Sequence, residues 1–188
     1  MTNVSRFIPD PEQAALVVVD IQKRLVPAMP ENVSEMVLRN TGILIKGVRE
    51  FDIPIILLEQ YPEGLGCTVG KIKDLLLDLE PIKKVAFNCC DVPEFVESLK
   101  SISRRDVILC GMETHICILQ SALGLLGMDQ RVFVAADAVC SRAKHNWEFG
   151  LSLMRAAGVM IGTTEIILFL MSRAADTERF IKISRLVK

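Results

Sequence analysis

The sequence predicts an α/β fold: a three-layer α/β/α sandwich on a six-stranded, mostly parallel, Rossmann-like sheet. Three observations carry that expectation. Short runs rich in β-branched residues alternate with longer segments of helical period, a pattern that implies right-handed crossovers between parallel strands. The runs are apolar almost throughout, as strands buried on both faces are, instead of alternating. The 188 residues contain no internal repeat, linker or low-complexity segment and fit one domain, residues 1–188.

Taken in order, Ala15 to Asp20 reads as the first strand and ends in a carboxylate. A helix follows from about Asn32 to Phe51. Asp52-Ile53-Pro54 stops it, because a residue before proline is pushed out of helical conformations, and opens the second strand, Ile53 to Glu59. Gln60 to Lys71, with three glycines and a proline, is a loop. Pro81 to Phe87 is a short third strand carrying Lys83 and Lys84. Asp91-Val92-Pro93-Glu94 has the cap and third-position acid of a capping box and opens a helix through Leu99. Asp106 to Met112 and Arg131 to Val139 are the fourth and fifth strands, and Val159 to Gly162 a brief sixth. Ser141 is expected to cap the helix containing Trp147 and Met154, which Gly158 ends. Thr163 to Arg173 and Glu178 to Val187 read as closing helices, the last expected to dock on a neighbouring subunit.

Composition narrows the function. A net charge of −1 with mixed signs offers no basic field for nucleic acid or a membrane surface, which leaves a small-molecule partner. The best candidate for a membrane-spanning run, Ile166 to Met171, is far short of the ~18 residues a membrane helix needs. Met1 to Pro11 carries Arg6, Asp10 and two prolines and lacks a signal peptide's apolar core, so a cytoplasmic location is expected. A hydrophobic content of 51% and a mean hydropathy of +0.37 predict apolar surface buried between subunits of a homo-oligomer, a dimer or tetramer. Six cysteines in a chain of this length read as reduced thiols rather than a disulfide framework. The Gln60 to Lys71 loop has neither phosphate-loop spacing, so no nucleotide cofactor is expected.

Three residues stand where chemistry is done. Leu109-Cys110-Gly111-Met112-Glu113-Thr114-His115-Ile116-Cys117 breaks at glycine and resumes as a helix beginning near Cys117. A thiol in a helix's first turn faces unpaired N–H groups and the positive end of the dipole, which favour thiolate; the competing reading is one more buried small hydrophobe. Asp20 reaches the carboxyl edge of the sheet straight after a buried run, where an acid is costly unless paired or used, or else serves as a cap. Lys84, between Lys83 and the apolar Val85-Ala86-Phe87, reads on its own as a solvated cation. Asp137 reads as structural, Cys89-Cys90 as loop or packing residues, and His145 as a surface residue.

Val-Val-Asp20-Ile-Gln, Lys84-Val-Ala-Phe and Gly-Met-Glu-Thr-His-Ile-Cys117 resemble the three spaced motifs of the isochorismatase-like cysteine hydrolases, which include nicotinamidases. Glu59-Gln60-Tyr61-Pro62-Glu63-Gly64-Leu65-Gly66 and Cys110-Gly111-Met112-Glu113 are similar to the isochorismatase domain-containing branch. The resemblance implies an Asp20–Lys84–Cys117 triad cleaving a C–N bond through a thioester, with the backbone N–H groups of Glu113 and Cys117 as oxyanion donors beside a cis Met112–Glu113 bond. Gln22, Tyr61 and Phe87 are the expected pocket residues, and His115 is expected either to line the pocket or to cap and pack structurally. The chain lacks the Asp-x-His pair of metal-dependent nicotinamidases and has only His115 and His145, so no metal is expected. Two other readings remain: an isochorismatase-type enol-ether hydrolase, or a non-catalytic scaffold or thiol sensor.

Overall fold

In the computed structural model, which describes residues 4–188, the β-branched runs form strands β1 (Ala14–Val19), β2 (Ile55–Gln60), β3 (Ile82–Lys84), β4 (Asp106–Met112), β5 (Arg131–Cys140) and β6 (Met160–Gly162). They make one sheet in the order β3-β2-β1-β4-β5-β6, and every pairing is parallel. The order reverses between β1 and β4, so the chain leaves those two strands toward opposite halves of the sheet and opens a crevice at their carboxyl ends.

The strands lack polar alternation because both faces are covered. Leu16 and Val18 of β1 join one apolar cluster, and Val17 and Val19 join the other. Helices α1 (Glu31–Arg49), α7 (Thr164–Ser172) and α8 (Glu178–Leu186) supply the first layer. Helices α4 (Pro93–Ile102), α5 (Leu119–Gly127) and α6 (Lys144–Ala157) supply the second. Single turns α2 (Pro62–Leu65) and α3 (Gly70–Lys73) punctuate the loop after β2. Helix α1 buries Val37, Thr41, Leu44, Ile45 and Val48, the three-and-four spacing of an amphipathic helix.

Two capping expectations are corrected. Asp91 is not the cap of α4: it ends a 3-10 turn, Cys89–Asp91, where its Oδ1 accepts from Asn88 Nδ2 at 3.0 Å, and Val92 occupies the cap position with no side-chain bond. Ser141 does not cap α6 either, since Ala143 stands there and the Ser141 hydroxyl pairs with His115 Nδ1 at 2.9 Å. The terminal helix α8 docks on its own chain. Ile183 is fully buried, Phe180 meets Phe169 edge to face at 5.2 Å, and Arg179 Nε donates to Glu50 O at 2.7 Å. Asp137 is structural as expected: its Oδ1 accepts from the backbone N and hydroxyl of Thr164, tying β5 to α7.

One glycine holds the crevice together. Gly111 has φ +123°, and a Cβ there would collide with the backbone carbonyl of Val19 on β1. The β4–β5 register also shifts between Leu109 and Gly111. Gly111→Ala is therefore expected to destabilise the fold by about 3 kcal/mol or more, through forbidden backbone geometry and a backbone clash together. Urea denaturation of the variant beside the parent protein checks this, and a loss below about 1 kcal/mol, the scale of an ordinary exposed glycine change, contradicts it.

Candidate active site

The site is assembled from the carboxyl ends of three strands. Asp20 follows β1 directly, in a left-handed conformation (φ 55°), and its backbone N donates to Leu58 O on β2 at 3.1 Å. Lys84 ends β3. The burial of that strand alternates, Ile82 in, Lys83 out and Lys84 in, so the second of two adjacent lysines is driven inward. Cys117 lies in a wide turn, Thr114–Ile118, between β4 and α5, where Ile118 N reaches back to Glu113 O at 3.2 Å.

These three side chains converge. Lys84 Nζ and Asp20 Oδ2 are 2.7 Å apart, and both side chains are fully removed from solvent. Lys84 Nζ also donates to Gln60 Oε1 at 2.6 Å and more weakly to Ala86 O at 3.4 Å. The Cys117 thiol contacts the same Gln60 Oε1 at 4.0 Å. Asp20 Oδ1 is buried with no hydrogen-bond partner among the described residues, an open acceptor inside the cluster.

Burial works against the thiolate that a helix start favours. Burial pushes the Cys117 thiol up to about 12, with the Asp20 charge adding to the rise and the Lys84 ammonium opposing it. Burial likewise raises the Asp20 carboxyl, against the pull of Lys84. The sulfur thus rests as a thiol at neutral pH.

The expected pocket residues fare unevenly. Gln22 is fully buried with its amide engaged on the backbone: its Nε2 donates to Gln60 O and Gly66 O, and its Oε1 accepts from Gln60 N at 2.8 Å. It braces β2 and the following loop. His115 is likewise held in structure, with Nδ1 against the Ser141 hydroxyl and Nε2 3.3 Å from Asn146 Nδ2. Tyr61 and Phe87 are half exposed near the ends of β2 and β3; the Tyr61 ring lies over Gly64, while Ser121 Oγ donates to Phe87 O at 3.4 Å. His145 is exposed. The peptide Met112–Glu113 is cis, and the Glu113 carboxylate accepts from Arg142 N at 2.9 Å and Arg142 Nε at 3.1 Å. Among the described residues, no three of His, Cys, Asp and Glu gather as a metal site would require.

Gln60 is the site residue that sequence reasoning missed. It ends an apolar strand at the carboxyl edge, as Asp20 does, and stands opposite Lys84 in the β2–β3 register. Its neighbour Glu59 is also buried and holds the loop through Thr68 N at 2.6 Å and the Thr68 hydroxyl at 2.7 Å.

Breaking the ion pair should be costly in a pH-dependent way. Lys84→Met strands a buried carboxylate, at a cost of about 3–5 kcal/mol. Losing the ammonium raises the folded-state Asp20 carboxyl further above its unfolded value. Between those two values the native state binds the extra proton, so stability falls as pH rises through that window. Urea melts should show Lys84→Met more deficient at pH 8 than at pH 5, and Asp20→Asn/Lys84→Met recovering most of the loss. Equal deficits at both pH values contradict the arrangement.

Comparison with known proteins places this architecture. The family model described as "Isochorismatase domain" matches residues 14–166. Mouse isochorismatase domain-containing protein 2A is 34% identical over 182 residues, covering 95% of this chain and 84% of the relative. The structure described as MAR1 ribonuclease from Caenorhabditis elegans superposes with a TM-score of 0.88 at 32% identity, covering 96% of this chain and 92% of the other. YcaC from Pseudomonas aeruginosa, described with hexane-2,5-diol and covalent acrylamide, superposes with a TM-score of 0.83 at 25% identity, covering 94% and 89%. With its all-parallel sheet and the match over residues 14–166, this chain belongs to the isochorismatase family and has that family's hydrolase fold.

Proposed function

We propose that this chain is a metal-independent cysteine hydrolase that cleaves a C–N bond of a small amide or related compound through a thioester on Asp20, Lys84 and Cys117. The observation that carries the reading is the buried cluster itself: a thiol, an ammonium and a carboxylate from β1, β3 and the turn after β4, with Asp20 Oδ1 left open.

The chemistry follows from the protonation states. Cys117 begins as a thiol, so its proton passes to Asp20 as sulfur attacks the substrate carbonyl carbon and the carbonyl electron pair moves onto oxygen. The backbone N–H groups of Glu113 and Cys117 are the donors assigned to that oxyanion. The oxyanion collapses, the C–N bond breaks, and the leaving amine takes the proton from Asp20. Water then attacks the thioester and gives a proton to Asp20; the C–S bond breaks and sulfur recovers that proton. Lys84 keeps its protons throughout and stabilises each negative charge in turn.

Support comes from several directions. A relative described with covalent acrylamide, itself a small amide, accords with a nucleophile carried on this fold. Both histidines lie outside the cluster, so the reading needs no histidine-held metal. The buried thiol tells against an enol-ether hydrolase, which needs only an acid, and the open Asp20 acceptor against an inert scaffold. The ribonuclease description of a relative finds less support here, because the Lys84 charge is already compensated by Asp20 and the chain's net charge is −1. No helix among the described residues is long and apolar enough to cross a membrane. Exposed Leu123, Phe149 and Leu153 on α5 and α6 are the surface assigned to a dimer or tetramer, and a cytoplasmic setting suits six unbridged cysteines.

The test is the pH dependence of Cys117 alkylation by iodoacetamide. Asp20→Asn removes a charge that raises the thiol, so the labelling midpoint should fall, and labelling at pH 8 should quicken roughly tenfold for each pH unit by which it falls. Lys84→Met removes the opposing charge and should move the midpoint upward. In addition, a Cys117 acyl adduct formed from a library of small amides and read by intact mass should appear in the parent protein and vanish in Asp20→Asn. Labelling that responds to neither partner sinks the reading.

A further inference from the structure

Gln60 touches both the ammonium and the sulfur. Its Oε1 accepts from Lys84 Nζ at 2.6 Å and is the polar atom 4.0 Å from Cys117 Sγ. The amide has only one workable orientation. Its Nε2 donates to Val85 O at 2.7 Å, and turning it round would set N–H groups against an ammonium and a carbonyl oxygen against a carbonyl. The backbone beneath it is equally fixed: Gln22 grips both Gln60 N and Gln60 O through one side-chain amide. A residue placed only to close the β2–β3 edge would not need its carbonyl aimed into a buried charged cluster.

The three protons of Lys84 Nζ have their acceptors at rest: Asp20 Oδ2, Gln60 Oε1 and, at longer range, Ala86 O. A thiolate that forms at Cys117 must take one of those places. Gln60 Oε1 is the acceptor that both holds the ammonium, at 2.6 Å, and takes a weak S–H contact, at 4.0 Å. We infer that Gln60 is a positioning residue that masks Lys84: it holds the ammonium on its own carbonyl oxygen, so that Cys117 stays a thiol until Asp20 accepts the proton during attack. The inference rests on the hydrolase reading for its consequence, a nucleophile kept unreactive between turnovers. The masking itself is a property of the three side chains.

Gln60→Met keeps the length of the side chain and removes the acceptor. The ammonium proton released should then favour thiolate, lowering the pH midpoint of Cys117 alkylation by about one unit, a tenfold gain in rate at pH 8. Gln60→Glu keeps the volume and the contact to Lys84, adds a negative charge beside sulfur, and should move the midpoint upward. The decisive arm is a double-mutant cycle: in a Lys84→Met background nothing remains to be masked, so Gln60→Met should leave the midpoint where Lys84→Met alone puts it. A residue that merely supports the strand edge would lower thermal stability in both backgrounds and shift the midpoint in neither.

An unshifted midpoint in Gln60→Met, or a shift of the same size with and without Lys84, overturns the masking. If Gln60→Met does not fold, Gln60→Glu carries the test alone, and an unmoved midpoint overturns it. The failure of the hydrolase reading looks different: labelling then ignores Asp20 and Lys84 as well. Sensitivity to Lys84 without sensitivity to Gln60 overturns the masking and leaves the hydrolase reading standing.

Discussion

The fully buried ion pair between Lys84 and Asp20 is the constraint on which the rest of the site depends. Two charges without solvent are tolerated only when each is paired and hydrogen-bonded, because desolvation alone costs several kcal/mol per ion. Lys84 meets that condition with three acceptors, whereas Asp20 leaves Oδ1 open. The surroundings bear this imbalance because they are rigid. Asp20 N is tied to β2, the Gln60 backbone is gripped by Gln22, and Gly111 brings β4 against β1 more closely than any other residue permits. The open acceptor inside this frame is the atom on which the proposed proton transfer depends.

Topology explains why distant residues meet. Reversal of strand order between β1 and β4 leaves a crevice at their carboxyl ends, and the three groups arrive from β1, β3 and the turn after β4. A second, half-buried ion pair lies at the opposite edge and does different work. Asp106, the first residue of β4, binds Arg131, the first of β5, through both carboxylate oxygens and also accepts from Asp10 N at 2.8 Å. Every Asp106 carboxylate oxygen is satisfied, so it is a clamp. Asp20 has one left over.

Much of this was legible in the chain. Apolar runs without polar alternation specify strands covered on both sides, and Val17 and Val18 do face opposite layers. Asp20 stood out as an acid costly to bury, Cys117 as a thiol at the start of a helix and Lys84 through the family resemblance, and the three are found together. What was not legible is where polar side chains go once distant segments meet. Asp91 and Ser141 sit in acceptable capping positions, yet Asn88 and His115 claim them. Gln22, adjacent to the site in sequence, turns toward the loop because Gln60 N and O and Gly66 O all need partners there. Gln60 escaped notice for a related reason: an amide does not titrate, so its position at a strand end carries no charge signal. Like Asp20, it is a polar group delivered to the sheet edge by a buried strand, and that placement was visible in both.

The state of the thiol shows why magnitudes must decide between local and tertiary effects. A cysteine in the first turn of a helix gains about 0.3–1 kcal/mol from the dipole, enough to move its ionisation by less than about one pH unit. Burial of a charged sulfur costs several times that, and the carboxylate nearby adds to the cost, so the thiol is held at about 12 despite the ammonium. The proposed reaction therefore replaces a preformed thiolate with proton transfer coupled to attack, Asp20 being the acceptor it assigns. The same comparison bears on the geometry of that proposal: a nucleophile not ionised beforehand needs a base beside it with an unoccupied oxygen, and Asp20 Oδ1 is the atom the proposal assigns to that role.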